Sequence, residues 1–155
     1  MTKTVNLLTH ELGVYGEGPA GHRFSMDSLG SDLGASLTGC SIYEIEPGEA
    51  TWPYHFELNE EEWLIVIAGE VTLRTPEGER VLRAGDTACF PTGATGAHAM
   101  RNAGSVTARF AMPSNASRYG DGVVYPDSGK FKLAGPGFSH RGKLGEPLDY
   151  WEGEQ

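Results

Sequence analysis

Apolar positions along the chain come in short runs separated by turn-forming residues, and this rhythm begins near residue 37. Leu37–Ile45 alternates between apolar and polar positions, as a half-buried β-strand does, and Glu46-Pro47-Gly48-Glu49 then supplies a turn. Trp63–Ala68 is a dense apolar run that is too short for a typical globular helix. The pattern therefore predicts strands rather than helices.

Further runs of the same kind predict a protein of roughly eight short strands. They are Tyr54–Leu58, Val71–Arg74, Arg80–Leu82, Thr87–Phe90, Ala97–Arg101 and Val106–Met112. Frequent turns without a helical period favour a sandwich, a jelly roll or a closed barrel. We expect an irregular N-terminal extension over 1–36, with short strands at Val5–Leu8 and His22–Met26. A barrel over 37–125 and a C-terminal tail over 126–155, packed on the barrel or on a partner subunit, complete the predicted organisation.

The charge balance excludes two classes of partner. The 155 residues carry a formal net charge of −9, whereas nucleic acids and anionic membranes attract clustered Lys and Arg. No apolar run approaches the roughly 20 residues of a membrane helix, and the chain does not open on a signal-peptide pattern. We therefore expect a cytoplasmic protein with no nucleic-acid or membrane partner. Cys40 and Cys89 lack CxxC spacing, which favours two buried, reduced thiols over a disulfide or a zinc pair.

A small group of histidines and carboxylates is the candidate chemistry of the chain. His55 and Glu57 are two positions apart on a predicted strand, so their side chains point to the same face. Glu62 follows after a short turn, and an antiparallel return strand would bring its carboxylate beside His55. His98 is distant in sequence and begins another predicted strand. Imidazoles and carboxylates that converge in this way are a typical ligand set for one divalent transition metal.

Two stretches of the chain carry a family resemblance. Gly48–Glu62, together with the later Gly69, resembles the first motif of the cupin superfamily. That motif is a glycine followed by His-x-His, a glutamate and a second glycine. Gly85–Asn102 resembles the second motif, in which a histidine is followed, after three intervening residues, by an asparagine. Val124–Lys130 is similar to a segment of bacterial single-domain cupins that mostly have no assigned function. The resemblance implies an all-β double-stranded β-helix, or jelly-roll barrel, whose metal ligands are His55, Glu62 and His98.

Glu57 stands where the family usually has its second histidine, and three interpretations of it remain open. As a fourth ligand it would give an oxygen-rich set that suits Mn or Fe better than Cu. As a free carboxylate beside a three-ligand metal it would be a catalytic general base. As a polar pocket residue it would mark a site that has lost its metal. We expect one divalent ion, with Fe or Mn favoured and Zn, Ni or Cu as alternatives.

Tyr43, Trp52 and Met100 are the candidate substrate contacts. Met100 shares its strand parity with His98 and is expected to face the barrel interior, whereas aromatic residues at strand positions often pack in the core. Asn102 is expected to hold a turn rather than to touch substrate. Scattered arginines are expected to be surface charges: Arg74, Arg83, Arg101 and Arg109.

These observations predict a metal-dependent cupin enzyme that acts on a small organic molecule in the barrel pocket. A dioxygenase is slightly favoured over an isomerase, lyase or cyclase, because two histidines and one carboxylate leave positions open for substrate and O₂ on non-haem iron. A non-catalytic binding or sensor cupin, with or without metal, is the alternative. The resemblance also implies a homodimer, with the tails and an edge strand as candidate contacts.

Overall fold

A computed structural model describes residues 2–115 and 120–154, and antiparallel β-strands dominate this part of the chain. The strands are β1 (Val14–Glu17), β2 (Arg23–Ser28), β3 (Thr38–Ile45), β4 (Phe56–Glu57), β5 (Glu62–Ala68), β6 (Glu70–Thr75), β7 (Gly78–Arg83), β8 (Thr87–Phe90), β9 (Ala99–Arg101), β10 (Ala108–Asn115), β11 (Asp121–Tyr125), β12 (Lys130–Gly135) and β13 (Phe138–Lys143). A short helix, α1 (Leu29–Leu33), and a 3-10 turn at Ala94–Gly96 are the helical elements within the described residues. The predicted all-β fold is confirmed.

The strands form three sheets that close into a jelly-roll barrel. The largest has six strands in the order β1-β2-β3-β10-β5-β8, a second has the order β7-β6-β9, and a third has the order β13-β12-β11-β4. Isolated bridges between Ala50 and Arg101 and between His55 and His98 connect the segment before β4 to the β9 region. The segment that carries His55 is thereby fixed against the segment that carries His98.

The core lies between the six-stranded and the three-stranded sheets. Apolar side chains from both pack in one buried cluster: Phe24, Tyr43, Ile45, Leu64, Val66, Val71, Leu73, Phe90, Met100, Ala108, Phe110 and Met112. Phe110 and Leu64 have no exposed surface, and each such side chain stabilises the fold by about 1.5–3 kcal/mol. The cluster forms the rigid base against which the candidate site is built.

Gly69 makes the sharp corner where the chain passes from β5 into β6. Its φ is 69°, a left-handed value that glycine adopts without strain. An added Cβ would lie 2.6 Å from the Thr107 carbonyl oxygen and 3.0 Å from Ala108 Cα. The glycine that closes the first motif is therefore required both by its backbone angle and by close packing.

The N-terminal segment is more ordered than the sequence indicated, and one predicted strand is wrong. β2 lies where His22–Met26 was predicted, and with β1 it extends the six-stranded sheet. Val5–Leu8 is not a strand, because the Asn6 side chain accepts a hydrogen bond from Leu8 N and its carbonyl accepts one from His10 N, which bends the chain into a turn.

Arg109 corrects a second expectation, since it is buried rather than a surface charge. Its side chain is only 10% exposed and ion-pairs with Glu44. Its guanidinium also donates to the carbonyl oxygens of Leu7 and His10. One buried cation thus fastens the N-terminal turn to β10.

The stretch expected as a tail carries regular structure. β13 pairs with β12, β12 with β11 and β11 with β4, so this sheet reaches the strand that carries Glu57. Both cysteines are free, but Cys89 is exposed and Cys40 is half-buried, so the expectation of two buried thiols is wrong. Among the described residues, no helix is long and apolar enough to cross a membrane.

Candidate metal centre

Strand pairing brings the two histidines together. His55 and His98 face each other in an antiparallel bridge, with His55 N donating to His98 O at 3.1 Å and His98 N donating to His55 O at 2.8 Å. Their ring centroids lie 4.7 Å apart. The two histidines are 43 positions apart in sequence, yet their imidazoles face one common space, which agrees with the predicted convergence.

Each imidazole is held by a hydrogen bond on the nitrogen that faces away from the site. His55 Nδ1 lies 2.8 Å from the Pro53 carbonyl oxygen, and His98 Nδ1 lies 2.9 Å from the Gly96 carbonyl oxygen. A carbonyl only accepts, so both Nδ1 atoms carry the proton and both Nε2 lone pairs are available as ligands. Metal-binding histidines are commonly oriented in this way.

Aromatic rings that the sequence did not single out fix the imidazole planes. Phe90 on β8 stacks on His98 with ring centroids 3.8 Å apart and planes 13° apart. Tyr125 on β11 stacks on His55 at 5.9 Å. Each histidine is therefore held both along its Nδ1 hydrogen bond and perpendicular to its ring.

Glu62 completes a group of three ligands. Ligand atoms of His55, Glu62 and His98 all lie within 4.8 Å of one another. His98 Nε2 and Glu62 Oε2 are 3.4 Å apart, and both are buried without a hydrogen-bond partner in the described part of the chain. Buried polar atoms are normally paired, so an unpaired nitrogen and an unpaired oxygen that lie close together beside the His55 imidazole fit a divalent transition metal.

The electrostatics of His55 agree with this fit. Burial disfavours the imidazolium form, and the neighbouring His98 adds to the effect, so the pKa of His55 falls from 6.5 to about 4. His55 is therefore neutral at physiological pH. Neutral imidazole is the form that binds a metal ion.

Glu57 lies in the same cavity but does not belong to the group formed by His55, Glu62 and His98, whose ligand atoms lie close together. Its Oε1 is 3.5 Å from His55 Nε2, and its Oε2 is buried without a partner among the described residues. Burial, followed by a hydrogen bond shared with the Asp121 carboxyl, raises the pKa of Glu57 from 4.5 to about 10. The metal-free protein therefore holds a proton on Glu57 at neutral pH. Its role as a ligand, a base or a pocket residue stays a prediction.

The group opens into a cavity of about 330 Å³. The barrel contributes Tyr43, Trp52, Met100 and Met112 beside the histidines and glutamates, and the third sheet contributes Val123, Tyr125, Lys132 and Arg141. The three residues predicted as substrate contacts thus lie on the wall, and contact with a substrate stays a prediction. Asn102 is buried elsewhere, where its amide donates to the Ile45 and Val106 carbonyls and holds the turn after β9.

The C-terminal sheet supplies a wall of the cavity that was not predicted from the sequence. A usable signal was present, because Lys130–Gly135 and Phe138–Lys143 flank Pro136-Gly137, a turn-forming pair between two strand-length runs. The hairpin brings Lys132 and Arg141 to the cavity, although neither belongs to a recognised motif. Asp121, which hydrogen-bonds Glu57, also belongs to this sheet.

Comparison with known proteins agrees with the fold. A family model described as the cupin domain matches residues 41–113. A crystal structure from Acidithiobacillus ferrooxidans, provisionally assigned as a sugar phosphate isomerase, is 27% identical, covers 83% of this chain and 81% of that chain, and has a TM-score of 0.76.

Two further crystal structures are similar in fold. A sugar phosphate isomerase of the cupin superfamily from Silicibacter pomeroyi is 22% identical over 96% of this chain and 98% of that chain, with a TM-score of 0.80. A polyketide cyclase from Streptomyces resistomycificus is 22% identical over 76% of this chain and 81% of that chain, with a TM-score of 0.62. A search among curated proteins finds no significant match. The matched family model identifies residues 41–113 as a cupin domain, and the jelly-roll barrel agrees with it.

Proposed function

We propose that this cupin is a metal-dependent enzyme that moves a proton on a small organic molecule bound in its cavity. The observation that carries the proposal is the convergence of His55, Glu62 and His98, in which Glu62 Oε2 and His98 Nε2 are buried without a partner among the described residues. A divalent ion held by these residues would supply Lewis-acid polarisation of a carbonyl or enolate oxygen. Iron or manganese is the favoured ion, because the donor set includes a carboxylate and no sulfur.

Glu57 is the residue that would move the proton. It shares a strand face with His55, lines the cavity and keeps one carboxyl oxygen buried without a described partner. In its ionised form, towards which a bound cation would shift it, Glu57 would take a proton from the hydroxyl-bearing carbon next to the polarised carbonyl and return it to the carbonyl carbon. The hydroxyl proton would pass to the carbonyl oxygen, so the result is an isomerisation without net redox change. Asp121 would hold the carboxyl group of Glu57 in place.

The comparisons support this reaction class over oxidation. The neighbour at 27% identity is provisionally assigned as a sugar phosphate isomerase, and isomerisation of a sugar phosphate is a proton-transfer reaction. A dioxygenase is the second candidate, because two histidines and one carboxylate are also the ligand set of non-haem iron oxygenases. The two classes differ in whether O₂ is consumed.

A deuterium-exchange experiment separates these functions. Metal-loaded protein is incubated in D₂O with a panel of small hydroxyaldehydes and hydroxyketones, free and phosphorylated, while an oxygen electrode records O₂. The proposal predicts deuterium at the carbon next to the carbonyl of at least one compound, without O₂ uptake. Glu57→Gln should lower this exchange by a factor of about 10²–10⁴, and the exposed control Glu146→Gln should leave it unchanged.

Other outcomes would contradict the proposal in distinct ways. O₂ uptake by the iron-loaded protein together with an oxygenated product would indicate a dioxygenase. Saturable binding of a panel compound by metal-loaded protein with neither exchange nor O₂ uptake would indicate a binding or sensor protein. Full exchange activity in Glu57→Gln would remove Glu57 from the mechanism.

A further inference from the structure

One cross-strand row connects the candidate metal centre to two cations. Glu57 on β4 is paired with Val123 on β11, Val123 with Lys132 on β12, and Lys132 with Arg141 on β13. Residues directly opposite each other in antiparallel strands project to the same face of the sheet. All four residues line the cavity. The row therefore forms one continuous wall that begins at a carboxyl group and ends at two positive charges.

The two cations of this row face each other, and neither forms an ion pair with a carboxylate among the described residues. Lys132 and Arg141 are direct cross-strand partners, and two positions away on the same face Lys130 is paired with Lys143. Like charges placed directly opposite destabilise a sheet. No ion pair is found for any of these four cations among the described residues, although Lys130 lies 5.3 Å from the Tyr125 ring.

This pairing is unusual in a chain that has acidic residues in excess. The protein carries 21 Asp and Glu against 12 Lys and Arg. Arg74, Arg101 and Arg109 each form an ion pair with a carboxylate at 2.7 Å or less. Uncompensated cations that face a cavity are explained if an anionic ligand neutralises them when it binds.

The dimensions of the row limit the size of such a ligand. Neighbouring strands lie about 4.8 Å apart, so the backbones of Lys132 and Arg141 lie about 10 Å and 14 Å from that of Glu57. The flexible side chains of both cations shorten this span. An anionic group held between them would therefore belong to a molecule of a few carbon atoms whose other end reaches His55 and Glu57, and a cavity of about 330 Å³ accommodates a molecule of that size.

We propose that Lys132 and Arg141 form an anion-binding subsite of the cavity, and that the substrate is a small organic molecule that carries a phosphate or carboxylate group. The inference rests on the proposed function for the reacting end of the substrate. Anion binding itself requires neither metal nor turnover. The guanidinium of Arg141 would bind two oxygens of the anion, and the ammonium of Lys132 would bind as a point charge.

Titration calorimetry with simple anions tests the subsite directly. Inorganic phosphate and malonate are titrated separately into the protein as purified and into chelator-treated protein, so that anion coordination to a bound metal is separated from binding to the cations. The chelator-treated protein should bind at least one of the two anions saturably. Lys132→Gln and Arg141→Gln should each weaken this binding at least about tenfold, since each removes a charge-assisted hydrogen bond. Lys132→Arg should retain binding, and the matched control Arg80→Gln on β7 should match the unsubstituted protein.

The choice of anion and the metal content distinguish the outcomes. Binding of phosphate that depends on Lys132 and Arg141 identifies a phosphorylated substrate, and the same dependence with malonate alone identifies a carboxylate. If neither anion saturates, or if the glutamine variants bind as the unsubstituted protein does, the subsite is refuted. Both variants should keep the full metal content of the unsubstituted protein. If the metal itself is absent, the proposed metal-dependent function fails, whereas anion binding by the chelator-treated protein can still be observed.

Discussion

Gly96 offers a sharp test of how the metal centre is held, because its role is to place His98. Its carbonyl oxygen accepts the hydrogen bond from His98 Nδ1 at 2.9 Å. A Cβ built on Gly96 would lie 2.8 Å from the Pro91 carbonyl carbon and 3.0 Å from the Pro91 nitrogen, and it would overlap the Pro91 oxygen. Backbone atoms cannot rotate away as a flexible side chain can, so the loop itself must shift.

The expected size of the effect follows from these contacts. Overpacking of a tight site costs about 1–3 kcal/mol, and somewhat more where backbone must move. We therefore expect Gly96→Ala to lower the free energy of unfolding by about 2–4 kcal/mol. Loss of an outer hydrogen bond to a metal-bound histidine typically reduces metal affinity about 10–100-fold, and we expect a reduction in that range.

Two measurements check this prediction. Urea denaturation of chelator-treated protein gives the stability change, and competition with a chromophoric chelator gives the metal affinity. Gly13→Ala is the matched control, because an added Cβ there meets no atom within 4 Å. It should change stability by less than about 1 kcal/mol and leave metal affinity unchanged. If Gly96→Ala matched Gly13→Ala in both measurements, the close packing of Gly96 against Pro91 would not be what positions His98.

Three further predictions concern the buried polar groups. Asn102→Ala should lower the unfolding free energy by about 2–4 kcal/mol in urea denaturation, because its side chain makes three hydrogen bonds within a buried turn; a change below about 0.5 kcal/mol would contradict this. Arg109→Met should cost about 3–5 kcal/mol, since it leaves Glu44 unpaired, and amide exchange near residues 7–10 should accelerate, whereas unchanged exchange would argue against the anchor. In chelator-treated protein the pKa of Glu57, raised to about 10, makes its stabilising contribution fall as pH rises from about 4.5 towards 10. Glu57→Gln should flatten the pH dependence of stability over that interval, and an unchanged slope would show that Glu57 is ionised in the folded protein.

Much of the barrel could be predicted from the sequence because turn residues and apolar alternation are local signals. Glu46-Pro47-Gly48-Glu49 marks the end of β3, and the dense run after Glu62 marks β5. The Val5–Leu8 prediction was wrong because the Asn6 side chain competes with strand pairing. Arg109 could not be recognised as buried, because its partners lie about a hundred positions away in the N-terminal turn.

The candidate site was predictable to a different extent in its two halves. His55, Glu62 and His98 carry motif spacing, and the structure brings these three together. Lys132 and Arg141 carry no motif, and their approach to the cavity depends on the pairing of β11 with the two-residue strand β4. So short a strand is set by tertiary contacts, which a local pattern does not reveal.

The metal content of purified protein shows whether His55, Glu62 and His98 hold a divalent ion. Elemental analysis should find about one divalent ion per chain in the unsubstituted protein and in the control His140→Ala, whose histidine lies exposed on β13. His98→Ala and Glu62→Ala should lose the ion while circular dichroism still reports a folded β-protein. An unsubstituted protein that neither carries nor takes up a stoichiometric divalent ion, or a His98→Ala variant that retains it in full, would contradict a metal site at these residues.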